Sequence, residues 1–237
     1  CDWDALEKFV EDLDADGQIS FESVGSEETQ EALRKLVKVA KNLGQKYDAV
    51  VTNPPYMGSS GMGAKLSKYV KDHYPDSKSD LFAVFIEKCG MMIKKNAYQA
   101  MITQHAWMFL SSFEKLRNKL QLNDIVNMAH LGARAFEEIG GEVVQTTSFV
   151  IRKSNIERYK GTYCRLIEPT SQQGKEKMFL NAENRYYAKQ DNFSKIPGSP
   201  VAYWVSDELF DAFELGIPLG NMGIVRNGMK TGDNNTF

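Results

Sequence analysis

Tyr47-Asp48-Ala49-Val50-Val51-Thr52-Asn53-Pro54-Pro55-Tyr56 is the stretch on which the reading of the whole chain turns. Its first six residues are a short β-prone run, and the two prolines behind them carry no amide hydrogen for a neighbouring strand. The run therefore reads as a strand that delivers a loop from its carboxyl end. Glycines between Gly58 and Gly63 mark that loop as mobile. Downstream, residues 80–95 have the pattern of an amphipathic helix, 97–103 of a buried strand and 111–120 of a second helix. Residues 124–130 and 143–151 read as two further strands. This rhythm of strand, helix, strand, helix, strand, strand predicts an α/β fold: a mainly parallel sheet covered by helices, with functional loops beyond the carboxyl ends of its strands.

Upstream, residues 1–45 form an acidic, helix-prone lead-in, with apolar residues at helical spacing in 31–40. Beyond Lys153 the pattern loosens into polar, aromatic-rich segments punctuated by Pro169, Pro197, Pro200 and Pro218. The expected organisation is thus a lead-in over 1–45, a catalytic half-domain over 46–165, and a connector opening a further region over 166–237. A chain of 237 residues with 42% hydrophobic content can bury a substantial core. No segment approaches the roughly 20 apolar residues of a membrane-spanning helix, and the first residues do not resemble a secretion signal. Cys1, Cys89 and Cys164 are odd in number and far apart, which suggests a reducing cytoplasm rather than a disulfide framework. The balance of 29 basic against 31 acidic residues lacks the basic excess usual in nucleic-acid-binding domains. Because the chain starts at Cys1 and stops at Phe237 inside what reads as a continuing motif, it is taken as an excised fragment.

Asn-Pro-Pro-Tyr after a strand is suited to one kind of chemistry. A conjugated amino group such as adenine N6 is a poor nucleophile because its lone pair is delocalised into the ring. Two acceptors, the Asn53 side-chain oxygen and the Pro54 carbonyl, can take both amino hydrogens and leave the lone-pair density pointing at an electrophile. Proline fixes its own φ and restricts the residue before it, so these acceptors are held in place before a substrate arrives. Tyr56 supplies a flat face on which a base can stack, worth about 1–3 kcal/mol. As a bare tetrapeptide the motif is equally a proline turn; the strand before it, the glycines after it and the α/β rhythm favour the site.

The motif resembles the catalytic motif of amino-methyltransferases. Three longer stretches are similar to the N6-adenine DNA methylase family, and within it to PglX-type methyltransferases of bacteriophage-exclusion systems. They are Val51-Thr52-Asn53-Pro54-Pro55-Tyr56-Met57-Gly58, Ile102-Thr103-Gln104-His105-Ala106-Trp107-Met108-Phe109-Leu110, and Met128-Ala129-His130-Leu131-Gly132-Ala133-Arg134-Ala135-Phe136. The resemblance implies the C-terminal half of a Rossmann-like methyltransferase sheet, mostly parallel with an antiparallel final strand, followed by the start of a target-recognition region. It implies S-adenosyl-L-methionine as cofactor, double-stranded DNA as substrate, other defence-system proteins as partners, and adenine-specific DNA methylation in phage defence or restriction-modification. Asn53, Pro54, Pro55 and Tyr56 would form the catalytic motif. Phe136, with Phe149 as the fallback, would close the other face of a flipped adenine. Asp80 and Phe82 would border the cofactor pocket, and Lys230, Thr231 and Asn234 would approach DNA. The family's glycine-rich cofactor motif normally precedes the catalytic one. No such turn occurs before Thr52, where Gly17, Gly25 and Gly44 are isolated. The isolated piece is therefore expected to be inactive or nearly so.

Other signals carry less. Asp12-Leu13-Asp14-Ala15-Asp16-Gly17-Gln18-Ile19 copies the first eight positions of a calcium-binding EF-hand loop, but the bidentate glutamate at position 12 is Ser23, so an acidic loop is the default. His73, His105 and His130 lack zinc spacing. His105 and Trp107 read as a packed loop that could line the pocket, and Cys89 as core. Lys65, Lys68, Lys71 and Lys78 fit a solvated helix face as well as they fit phosphate contacts. Two other functions compete: a protein glutamine N5-methyltransferase, whose substrate also offers a planar amino group, and a catalytically idle DNA- or partner-binding module. The first is disfavoured by the long segment beyond Lys153.

Overall fold

The computed structural model describes residues 2–12, 26–136, 144–181 and 184–226. Helices α1 (Trp3–Asp12) and α2 (Ser26–Gly44) pack on each other, and Lys41 ties them by donating to Asp4 at 3.0 Å and Glu7 at 2.6 Å. The remaining elements run β1 (Tyr47–Thr52), α3 (Ala64–His73), α4 (Leu81–Met92), β2 (Ile93–Gln104), α5 (Glu114–Leu120), β3 (Asp124–Gly132), β4 (Thr146–Arg152), β5 (Lys160–Arg165), α6 (Gln172–Leu180), β6 (Arg185–Lys189), α7 (Asp207–Leu215) and α8 (Leu219–Met222). No helix among them is long and apolar enough to cross a membrane.

The six strands form one sheet in the order β1-β2-β4-β3-β5-β6. β1 runs parallel to β2 and β3 parallel to β5, while β4 is antiparallel to both β2 and β3, and β6 to β5. Four strands thus point one way, while β4, the last strand expected from the sequence, and β6 point the other. Helices make the parallel order possible, since parallel neighbours need a crossover. α4 lies between β1 and β2 in the chain, and α5 between β2 and β3.

The main core covers one sheet face. Met101, Phe149, Ile151, Ile125, Met128 and Tyr163 of the strands meet Phe82 and Ile86 of α4 and Leu116 and Leu120 of α5. α4 is apolar nearly all round because it is covered twice. Val84 packs with Met62, Val70 and Tyr74 in a second, smaller cluster, away from the sheet.

The sheet continues where the sequence reading has it end. β5 and β6 extend it past residue 153, and Phe193, Val201, Tyr203 and Phe210 lie in the same core as Trp107 and Phe149. Arg117 fixes this junction: its guanidinium is fully buried and donates to the carbonyls of Trp107 (2.9 Å), Leu110 (2.6 Å) and Gly198 (3.0 and 2.6 Å). Gln190 adds a second tie, accepting from the Ile125 amide and donating to the carbonyls of Gln121 and Asn123. Residues on both sides of 165/166 therefore share one core among the described residues.

At one position β5 comes too close to β3 for any side chain. A Cβ on Gly161 would collide with the Ile125 carbonyl oxygen. Gly161→Ala should push the two strands apart at a cost of about 1–3 kcal/mol, read as a lowered midpoint in denaturant unfolding.

Candidate active site

The carboxyl ends of β1, β2 and β3 and the amino end of β4 meet at one edge of the sheet. Thr52 is in register with Met101, and Gln104 and Gly132 both face Thr146. Four segments leave from this edge: the Asn53–Tyr56 loop after β1, a 3-10 turn His105–Met108 after β2, the turn toward Phe136 after β3, and the approach to β4 at Gln145. The His105 amide donates to the Gln145 carbonyl at 2.9 Å, joining two of them.

Within the first loop Asn53 and Pro55 are exposed, Pro54 is buried, and Tyr56 is half-buried against the main core. The Tyr56 ring meets Phe82 edge-on, with centroids 6.2 Å apart. Its hydroxyl is buried without a hydrogen-bond partner among the described residues, and burial pushes its pKa up to about 12. The glycine-rich stretch behind it, expected to be mobile, is stapled to the start of α4. Asp80 Oδ1 accepts from the Met57 amide at 3.0 Å and from the Phe82 amide at 3.2 Å, so one carboxylate both caps the helix and holds the loop. The Leu81 amide donates to the Met57 carbonyl at 2.9 Å and the Ser59 amide to the Ser79 carbonyl at 3.0 Å. Burial raises the pKa of Asp80, and the backbone amides oppose that rise.

On the far side of the edge, two buried cationic or titratable groups sit under the turn to Phe136. The Lys175 ammonium is nearly buried and donates to the carbonyls of Leu131 (2.6 Å) and Leu166 (2.7 Å), at the carboxyl ends of the parallel strands β3 and β5. Burial lowers its pKa, with Glu168 opposing. His130, 4% exposed, shares a hydrogen bond of 2.7 Å between its Nε2 and His105 Nδ1, and one of 3.0 Å between its Nδ1 and the Tyr203 hydroxyl. Burial, followed by the neighbouring His105, Arg165 and Lys175, lowers the His130 pKa to about 3. Burial also lowers that of His105.

A family model described as the Eco57I restriction-modification methylase matches residues 3–136, the span that carries this loop and the turn to Phe136. The chain belongs to that family. The adenine-specific methyltransferase PglX of Lacticaseibacillus casei (strain Zhang) is 48% identical over 98% of this chain and 20% of its own length. The adenine-specific methyltransferase BrxX of Escherichia coli O9:H4 (strain HS) is 43% identical over 80% of this chain and 16% of its own length. This Eco57I-family chain therefore spans a fifth or less of the curated relatives it matches. Among solved structures, a cryo-EM DrdV–DNA complex shares the fold at a TM-score of 0.52 and 12% identity, covering 74% of this chain and 20% of that one.

In this Eco57I-family fold the residues singled out from the sequence are not all brought together. Asn53 to Tyr56 and the turn ending in half-buried Phe136 leave from the same sheet edge. Phe149 is 1% exposed, T-packed against Trp107 with centroids 5.2 Å apart, and presents no face to a base. Trp107 is core as well, its indole donating to Thr103 Oγ1, and Cys89 is core with its thiol pKa raised by burial. Phe82 is 1% exposed and packs on Tyr56, and Asp80 is engaged by two amides, so the two shape Tyr56 and its loop. Lys65, Lys68, Lys71 and Lys78 are exposed. Lys230, Thr231, Asn234 and most of the EF-hand-like stretch lie outside the described residues. No cluster of metal-ligating side chains occurs among the described residues. Sequence reasoning missed His130, Tyr203 and Lys175. The available signal was a histidine set in the apolar strand Met128-Ala129-His130-Leu131, since a buried polar side chain implies a partner.

Two outcomes follow from these interactions. Asp80→Ala should cost about 1–2 kcal/mol by removing the helix cap, and should raise hydrogen exchange at the Met57 amide; Asp80→Asn should recover part of both. His130 binds its proton more weakly folded than unfolded. The stability it supports is complete above about pH 6.5 and falls as pH drops toward 3, by about 2 kcal/mol at pH 5. Nitrogen NMR of the full-length protein should find this ring still neutral at pH 5; a charged imidazolium there would contradict the assignment.

Proposed function

We propose that the full-length protein is a site-specific, adenine-specific DNA methyltransferase of phage defence or restriction-modification, acting in the cytoplasm on double-stranded DNA with other defence-system proteins as partners. The observation that carries this is the Asn53–Tyr56 loop: an exposed asparagine and a buried proline at the carboxyl edge of an α/β sheet, pinned from behind by Asp80. Family membership and relatives named adenine-specific methyltransferases support adenine over glutamine as the acceptor.

The target base leaves the duplex, at a cost of a few kcal/mol. Asn53 Oδ1 and the Pro54 carbonyl accept the two amino hydrogens, which turns the N6 lone pair away from the ring and toward the methyl donor. Tyr56 and Phe136 supply the faces between which the adenine is held. S-adenosyl-L-methionine, when bound, supplies an electrophilic methyl group. Its cradle is assigned to the remainder of the full-length polypeptide, because Asp80 and Phe82 are already committed to the loop and the core.

Methylation of adenine in duplex DNA by the full-length protein tests the assignment. Asn53→Ala should lower the single-turnover rate by about 100- to 1,000-fold. Tyr56→Phe should stay near wild type, because the hydroxyl it removes has no partner among the described residues, whereas Tyr56→Ala should lose the stacking contribution of about 1–3 kcal/mol. An Asn53→Ala enzyme as fast as wild type, or methyl groups recovered on protein glutamine instead of DNA, would sink the proposal.

A further inference from the structure

His105 stands at the carboxyl end of an inner strand of the sheet. β2, whose end it continues, lies between β1, which carries Asn53, and β4, beyond which β3 leads to Phe136. Its ring reaches across to β3 and is gripped there, and Phe109 meets it edge-on with centroids 5.6 Å apart. The His105–His130–Tyr203 chain joins residues 25 and 73 positions apart in sequence.

The chain of hydrogen bonds has a direction. Tyr203 is buried, and His130 is its only hydrogen-bond partner among the described residues. If His130 Nδ1 donated to Tyr203, the phenolic hydrogen would be left buried without an acceptor, which costs about 1–3 kcal/mol. The satisfied arrangement has the Tyr203 hydroxyl donating to His130 Nδ1, and His130 Nε2–H donating to His105 Nδ1. His105 must then carry its hydrogen on Nε2, a nitrogen with no partner among the described residues.

We propose that this Nε2–H donates to the N1 acceptor of the flipped target adenine, making His105 a specificity-determining residue and His130 and Tyr203 the positioning residues that fix its tautomer. The inference rests on the reading of Asn53 and Pro54 as acceptors for the amino group. Flipped bases are read along their Watson–Crick edge, where adenine presents the amino donor next to the N1 acceptor. Asn53 and Pro54 answer the donor; His105 answers the acceptor. Guanine offers an N1–H in the same place and would set donor against donor. Burial keeps both imidazoles neutral, so the base is recognised without being protonated, and its amino nitrogen keeps its electron density.

Single-turnover methylation by the full-length protein, on duplexes carrying adenine or 1-deazaadenine at the target position, decides it. The wild-type enzyme should prefer adenine by about 5- to 150-fold, the penalty for an unmet buried hydrogen bond. His105→Phe should be slower on adenine and should lose most of that preference. His105→Gln, which keeps an N–H donor, should retain part of it, and Tyr203→Phe should reduce it with methyl-donor binding unchanged. An adenine preference equal in wild type and in both His105 variants overturns the assignment to His105 alone. A wild-type enzyme that fails to methylate adenine, with Asn53→Ala no different, overturns the methyltransferase reading and this inference with it.

Discussion

Two consecutive prolines have no amide hydrogen to give a neighbouring strand, and this constraint governs the edge on which everything else is built. β1 must stop at Thr52, yet β2 alongside it runs on to Gln104. The chain that leaves β1 is therefore free of the ladder while its neighbours are still in it. An unladdered loop would be floppy. Asp80 prevents this by placing one carboxylate oxygen between the Met57 amide and the first turn of α4. The Asn53–Tyr56 segment is held at both ends, by a strand before it and a helix cap behind it, without either hold occupying the Asn53 side chain.

The same division runs through the other side of the edge. Arg117, Lys175, His130 and Tyr203 are buried there in neutral or singly charged form and satisfied by backbone carbonyls or by each other. Arg117 closes the junction between the turn after β2 and the segment near Gly198, and Lys175 closes the ends of β3 and β5. Neither uses a carboxylate. These contacts fix loops to the sheet without forming ion pairs at the site, and they make the region through Phe210 part of one core.

What the sequence disclosed was whatever is local. β1, α4 and the strands at 97–103 and 124–130 are legible because apolar period and breakers coincide, and the loop at Asn53 because prolines act on their own neighbours. β5 and β6 are not legible: Lys160, Arg165, Arg185 and Lys189 sit at their ends, and the tyrosines between them read equally as loop. The hold of Asp80 on the loop is not legible either. A carboxylate two residues past a lysine gives no sign that it will bond an amide 23 positions upstream. The His105–His130 pair was beyond reach for a similar reason, since a whole strand, β4, lies between the two, and only the sheet order brings them together.

Lys175 gives the edge a property that the overall charge of −2 conceals. Its ammonium has exchanged water for the carbonyl dipoles of Leu131 and Leu166. Mobile ions surround exposed lysines such as Lys65, Lys68 and Lys71 and weaken their reach within about 8–10 Å at physiological ionic strength. A charge beneath the surface is screened far less. As salt rises, the diffuse field of the surface fades while the potential rooted beneath it persists, so the edge keeps a fixed positive mark when the exposed charges around it no longer reach far.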